Sequence, residues 1–458
     1  MTYHPTLPFE IIEMIIDAVA QHDPTFSSLK TCSLACQIFL ELCRKHIFAS
    51  ITIHDRNRGP NPTSAALVRL LSTTPGIADH IRKLRWLVEL EQLPHNAPLP
   101  GILEKIMKLE SLTINWALPL DIQWSDNRLR SAILHLLHLP TLIRLEMHDV
   151  QDFAFADLIP CTNLHELRLH AMKSVETEST SVSILPPKPV QVDTLFFGVR
   201  CSTAISMMGA SLRPDGRPVF NLAVLASIQL QLDTFEDFEA SRKLFQHCSR
   251  LSKVAILLDS PPLTWTGIAK MLKPSIGTLT HLHLKTATED ETGANDPLGG
   301  LVPELEEMRH QNVVEKVTID VFVSSYYECS HGDDWGLLDI VMTQSGWPKL
   351  KGFTALLTTT AAIAVGCASS DVNAHSTLRS LIATINTPSN LRGSLTLILG
   401  VGISAQRCWN FLHSYHDPAS EHPIRQGGSW STFIASSAPV QDRERLVAVA
   451  NAVGHHCQ

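Results

Sequence analysis

The sequence has no excess of positive charge: 37 Lys and Arg stand against 45 Asp and Glu, a net charge of −8. That excludes a global basic field of the kind that gathers nucleic acid or an anionic membrane. Aromatic residues are scarce at 6% of the chain, so aliphatic side chains must fill the interior. None of the ten cysteines forms a CxxC pair. Scattered over 458 residues, they read as reduced, buried thiols of an intracellular protein, not as a disulfide framework. Membrane-spanning runs are also missing, since the uncharged stretch Phe353–Ser370 is diluted by Thr and Ser. The N-terminus lacks a basic stretch and carries Glu10, Glu13 and Asp17 among its apolar residues, which argues against a secretory signal. There is no GxxxxGK[ST] loop, GxGxxG turn or GxSxG elbow, so nothing selects an enzyme. The expectation is a soluble protein of the cytoplasm or nucleus, without a nucleic-acid or membrane partner and without a cofactor.

What is present is order: a hydrophobic fraction of 44% with only 18% charged residues supports a large packed core. The first 54 residues predict about three short helices. Pro8 suits a helix start, because its missing N–H would have had no partner in the first turn. Ile11, Ile12, Ile15, Ile16 and Val19 follow as a broad apolar stripe. Asp23-Pro24 ends that helix, and Ser27 or Ser28 can cap the next. The second helix, continued through Phe39, Leu40, Leu42 and Cys43, is apolar nearly all round. So small a module cannot hide that surface within itself. It should pack on the next domain, on a partner, or on both.

After the loop Arg56–Pro62 comes an internal repeat, ΦxxΦxΦ, where Φ is apolar. Its central apolar residues fall at Leu84, Leu112, Leu145, Leu167, Leu195, Ile228, Val254, Leu282, Val317 and Phe353. Ten copies at a period of 22 to 36 residues predict one strand per unit plus a return long enough for a helix. LVRLLSTTPGIADHI (Leu67–Ile81) and SAILHLLHLP (Ser131–Pro140) are two such returns. The units resemble leucine-rich repeats in degenerate form. The usual Asn or Cys after the last Leu is replaced by Ala117, Val150, Met172 and Ala287, so an asparagine ladder is not expected. Glu176–Val190 and Thr286–Gly299 read as surface loops. The fold class is thus α/β: a helical module at 1–54, an irregular solenoid at 62–400 with a parallel sheet on its concave face, and a cap or loose tail at 401–458.

The N-terminal module resembles the F-box of fungal F-box proteins. The matching elements are Leu7-Pro8-x-Glu10-Ile11, Ile15-Ile16, Leu29, Cys32-Ser33-Leu34, Cys36 and Phe39, closed by HIFASITI. LVRLLSTTPGIADHIRKL also resembles the first repeat of such proteins. Gln37 stands where Arg is common, and Phe39 where Trp is frequent. The resemblance implies a non-catalytic substrate receptor of an SCF-type (Skp, cullin, F-box) ubiquitin ligase. Its F-box would dock on a Skp-family adaptor, and through it a cullin/RING ligase, by Leu7, Pro8, Ile11, Ile15, Leu29, Leu34 and Phe39. The alternatives are that these side chains are internal core, and that the chain is a leucine-rich-repeat scaffold acting outside any ligase.

The target protein is not named by the sequence, but its seat is. Residues between the apolar positions of each strand face outward. Among them are Arg85, Arg144, Arg168, His170, His281, His283 and Lys285, and the whole outward set has seven positive and three negative charges. Such a face would suit an acidic or phosphorylated segment, with Arg144 and Arg168 as its leading pair; the same pattern also fits an ordinary solvated face. His281 and His283 share one side of a strand but lack a third metal ligand nearby. Cys329–Asp334 and Gly454–Cys457 are rich in ligand types but have no closed four-ligand spacing. Cys32 and Cys36, one helical turn apart, suit small core residues better than a redox pair. No metal site is expected.

Overall fold

The computed structural model describes residues 8–23, 25–55, 63–88, 99–116, 123–125, 129–174, 186–259, 263–288, 296–324, 334–360 and 394–401. Three helices lead: α1 (Phe9–His22), α2 (Ser27–Cys32) and α3 (Gln37–Ile47). Each contributes to one small core, with Ile16 from α1, Leu29 from α2, and Leu42 and Cys43 from α3. The expected continuous second helix is broken by the turn between Cys32 and Gln37. Cys32 therefore closes α2 while Cys36, exposed, precedes α3. Cys36 is thus not the core residue expected of it.

The cap of α2 also differs from expectation. Asp23 supplies it: its carboxylate accepts from the Ser28 N–H at 2.7 Å and from the Thr25 N–H at 3.0 Å. Phe26 takes the N-cap position in the left-handed region at φ 56°. The Thr25 hydroxyl, then the Ser28 amide, hold the Asp23 carboxyl well below its usual range. Between α1 and α3, Lys45 Nζ lies 2.6 Å from Glu13 Oε1, and His46 Nε2 lies 2.7 Å from Asp17 Oδ1. These pairs link the two helices and add little stability, since both are partly solvated.

The rest is a parallel sheet of twelve strands among the described residues, in chain order throughout. The strands are β1 (Ser50–Asp55), β2 (Lys83–Val88), β3 (Ser111–Trp116), β4 (Arg144–His148), β5 (Glu166–His170) and β6 (Thr194–Phe197). They continue as β7 (Ser227–Leu232), β8 (Lys253–Leu258), β9 (His281–Thr288), β10 (Lys316–Ser324), β11 (Gly352–Thr360) and β12 (Ser394–Val401). All ten central apolar residues lie in β2–β11. They pair without slip from Leu84↔Leu112 to Val317↔Phe353. Ile51 extends this ladder at the front and Leu395 at the back. Zero slip has a physical cause: one residue of shift would turn the apolar set of a strand outward. Burial alternates accordingly, and Leu145, Leu167, Leu195 and Leu282 are buried while their neighbours reach solvent.

Returns are helical where the spacing allows. They include α4 (Thr63–Thr73), α5 (Leu99–Leu103), α6 (Arg130–Leu137), α7 (Ser202–Ala210) and α8 (Phe235–Phe245). After these come α9 (Ile268–Leu272), α10 (Leu301–Met308) and α11 (Asp334–Thr343). Thr286–Thr288 belongs to β9, not to a loop as expected. Most of Glu176–Val190 lies outside the described residues, as do Cys329–His331 and the whole of 402–458. One core unites the returns and the buried side of the sheet. Polar side chains fasten neighbouring returns: Asp157 is buried, accepts from Trp124 Nε1 at 2.6 Å and pairs with Arg130 at 3.0 Å. Cys161, Cys201 and Cys248 are buried, and burial pushes each thiol up to about 12. No helix among the described residues is long and apolar enough to cross a membrane.

Candidate functional site

Two surfaces are candidates. The first is on the helical module. Ile11 and Ile15 stand one turn apart on α1, 41% and 48% exposed, with Met14 beside them at 66%. Leu34, in the α2–α3 turn, is 86% exposed, and Ile38 on α3 is 52% exposed. Pro8 is also exposed, at the start of α1. Phe39 is half-buried against the module core. Leu7 lies outside the described residues. Leu29 requires a correction: it is wholly buried, because a three-helix core needs an inward residue from α2 and Leu29 supplies it. It cannot belong to a docking face.

The opposite end of the module is closed. Phe48 and Ile51 pack against the main core. The Arg82 and Lys83 amides both donate to the Ala49 carbonyl, at 2.9 and 2.8 Å. The module thus sits directly on the front of the sheet, with its exposed apolar residues on α1, the α2–α3 turn and the start of α3.

The second surface is the polar side of the sheet. Parallel pairing without slip lines its outward residues up in rows across the strands. Lys83, Ser111, Arg144, Glu166, Thr194, Ser227, Lys253, His281 and Lys316 share one row. Arg85, Thr113, Glu146, Arg168, Phe196, Gln229, Ala255, His283 and Thr318 form the next. Arg85 is exposed. Arg144 and Arg168, however, are not free cations. Glu166 lies between them and engages both, with 2.5 Å contacts to Arg144 Nη2 and Arg168 Nε. Arg168 also sits 5.8 Å over the Phe196 ring. An anionic partner would have to compete with an internal carboxylate, so the pair is weaker bait than its spacing implied.

Elsewhere on this face His283 Nε2 lies 2.7 Å from Asp320 Oδ2, and Lys285 Nζ 3.9 Å from the same oxygen. His281 Nδ1 contacts the Thr280 hydroxyl at 2.9 Å. The two histidines of this strand therefore point to different partners. A tighter group was not anticipated: His148 and His170 stack at 4.1 Å between ring centroids, with Glu146 beside them. The His148 hydrogen bond is the main force holding the Glu146 carboxyl below its usual value. Burial, aided by His148, pushes His170 down to about 4.

Further along, Asp233 sits near Asp259 and Asp237. Burial first, then those two charges, push its carboxyl up to about 6 from 3.8. The native state therefore holds this proton more tightly than the unfolded chain does. Stability is lost as pH rises from about 4 to about 6. Asp233→Asn removes that penalty, so the variant should melt higher than wild type at pH 7.5 and show little or no gain at pH 4.5. An equal gain at both pH values in differential scanning calorimetry would contradict this.

The two surfaces present exposed apolar side chains at one end and polar, ion-paired side chains along the sheet. Compared with known proteins, the chain matches no family model, and no curated protein is significantly similar to it.

Proposed function

We propose that the chain is the substrate-recognition subunit of an SCF-type ubiquitin ligase. The helical module would act as an F-box on a Skp-family adaptor, and the leucine-rich-repeat-like solenoid would hold a target protein on its polar face. Such a receptor makes and breaks no bonds. It raises the concentration of target lysines near a charged ubiquitin-conjugating enzyme, which is an effective-molarity device.

The observation that carries this reading is the apolar set left uncovered on α1, the α2–α3 turn and the start of α3. Ile11, Met14, Ile15, Leu34 and Ile38 are all exposed on a module of about forty residues that already has a core of its own. Isolated exposed apolar side chains are ordinary, but several on neighbouring short elements mark a docking surface. The fastening of the module to β2 supports a second reading, in which it serves only as a solenoid cap. Co-expression of the full chain with a Skp-family adaptor separates the two. Wild type should co-purify at equal stoichiometry, and Pro8→Ala/Ile11→Asp should not. If neither form retains the adaptor, the scaffold reading stands instead.

A further inference from the structure

The register of β4 and β5 places His148 beside His170 and, two residues earlier, Glu146 beside Arg168. Strand neighbours are about 4.8 Å apart, so three ligand-bearing side chains converge on one spot of the polar face. Glu146 Oε1 lies 2.9 Å from His148 Nε2 and 3.9 Å from His170 Nε2. One ligand atom from each residue lies within 4.8 Å of the other two. We propose that Glu146, His148 and His170 bind one divalent transition-metal ion, of the zinc class, on the open face of the sheet.

The distances are near those of a loaded site. Metal–nitrogen and metal–oxygen bonds of about 2.1 Å in a tetrahedron set ligand atoms about 3.4 Å apart. The observed separations fall on either side of that figure, so binding requires shifts of about half an ångström per ligand. The two imidazoles lie parallel within 3°, and their in-plane lone pairs must converge on the ion. That convergence takes a rotation about χ2, a torsion that is intrinsically broad. Two imidazoles with one carboxylate favour zinc or cobalt over calcium or magnesium, which prefer all-oxygen shells.

The surroundings hold the ligands in place. Thr113 Oγ1 is within 3.4 Å of the second Glu146 oxygen. His170 is backed by the Phe196 ring, 4.5 Å away and tilted by 36°. Gly198 leaves the room His170 needs, since a Cβ at that position would collide with its Nδ1. All three ligands are half-buried, which leaves a fourth position open on the solvent side. A water, or a carboxylate, imidazole or thiolate of a protein lying on the sheet, can occupy it. The site stands apart from the adaptor reading, since no residue of α1–α3 takes part.

The test is titration of the full, chelator-stripped chain with Co²⁺ alone, followed by visible absorption, with Zn²⁺ competition. Wild type should take up one ion with the intense bands of a tetrahedral site, and Zn²⁺ should bleach them. His148→Ala/His170→Ala should lose the bands. Gly198→Ala, which alters no ligand but drives a Cβ into His170, should weaken binding by about 10- to 100-fold, the size of effect seen when a ligand's support is disturbed. His281→Ala/His283→Ala should bind like wild type, which matters in a chain with 22 histidines. The ligand variants sit on the open face and should keep the wild-type melting curve. Bands surviving in His148→Ala/His170→Ala, or wild-type uptake no greater than that of the double variant, would overturn the proposal.

Discussion

Leu34→Asp is expected to weaken adaptor binding by about 100-fold, or roughly 2.7 kcal/mol, while shifting the melting temperature by no more than about 2 °C. The asymmetry follows from where the side chain sits. Leu34 is 86% exposed in the α2–α3 turn, so folding gains little from it and an aspartate there stays in water. In a complex the same carboxylate would be desolvated against an apolar partner surface without a countercharge. Ile15→Asp should behave alike, with a somewhat larger stability cost because Ile15 is 48% exposed. Leu29→Asp is the informative contrast: it places a charge in the core with Ile16, Leu42 and Cys43 and should unfold the module. Isothermal titration with purified adaptor, paired with thermal melts, measures both quantities. Equal loss of binding and of melting temperature for Leu34→Asp would mean that Leu34 supports the fold and not a partner.

Glu304→Ala should cost about 3 kcal/mol of stability, more than most surface or half-buried substitutions. Glu304 is buried on α10, but its carboxylate serves the neighbouring return. It accepts from the Gly267 N–H and the Ala269 N–H at the start of α9, each at 2.7 Å. Those amides have no partner within their own short helix, and hydrogen bonds to an ionised acceptor are among the stronger ones. Alanine would strand both amides, that of Ala269 in a buried position and that of Gly267 in a half-buried one. Glutamine keeps one acceptor oxygen but turns an amide donor toward the other N–H, so Glu304→Gln should cost about half as much. Urea unfolding midpoints give the comparison. A cost near zero for alanine would mean that water reaches both amides and the carboxylate is not a fastener between returns.

The sheet was legible in the sequence because its signal is periodic and redundant. Each ΦxxΦxΦ unit fixes its own strand, and matching units fix the register between strands. Thus Leu84 through Phe353 fall on one ladder. Where the chain departs from that spacing, legibility ends. Strand β12 was not anticipated because Leu391 and Leu395 enclose three residues, one more than the unit allows. The break between α2 and α3 was hidden by continuous apolarity. Without a proline or glycine between Cys32 and Gln37, composition alone favours one helix. The Asp23 cap reaches five residues ahead to Ser28, beyond the usual capping interval, so Ser27 and Ser28 looked sufficient.

The polar face was legible as a face but not as a set of partners. Alternation identified Arg144 and Arg168 as outward neighbours, and the row containing Glu166 then accounts for their pairing. His281 and His283 drew attention because they share a strand. His148 and His170 did not, because they lie 22 residues apart. The signal was available all the same: aligning the repeat units LIRLEM and LHELRL puts both histidines at the same place in the unit. Ligand searches along a repeat protein should therefore run across units as well as along one strand.

Hydrogen–deuterium exchange of the full chain, with and without a purified Skp-family adaptor, tests the central claim most directly. Exchange reports which amides a partner covers and needs no substitution. The account predicts slowed exchange across Phe9–Ile16 and Ser33–Leu40, with β4 through β9 unchanged by the adaptor. Absence of binding, or protection confined to the polar face of the sheet, would contradict it.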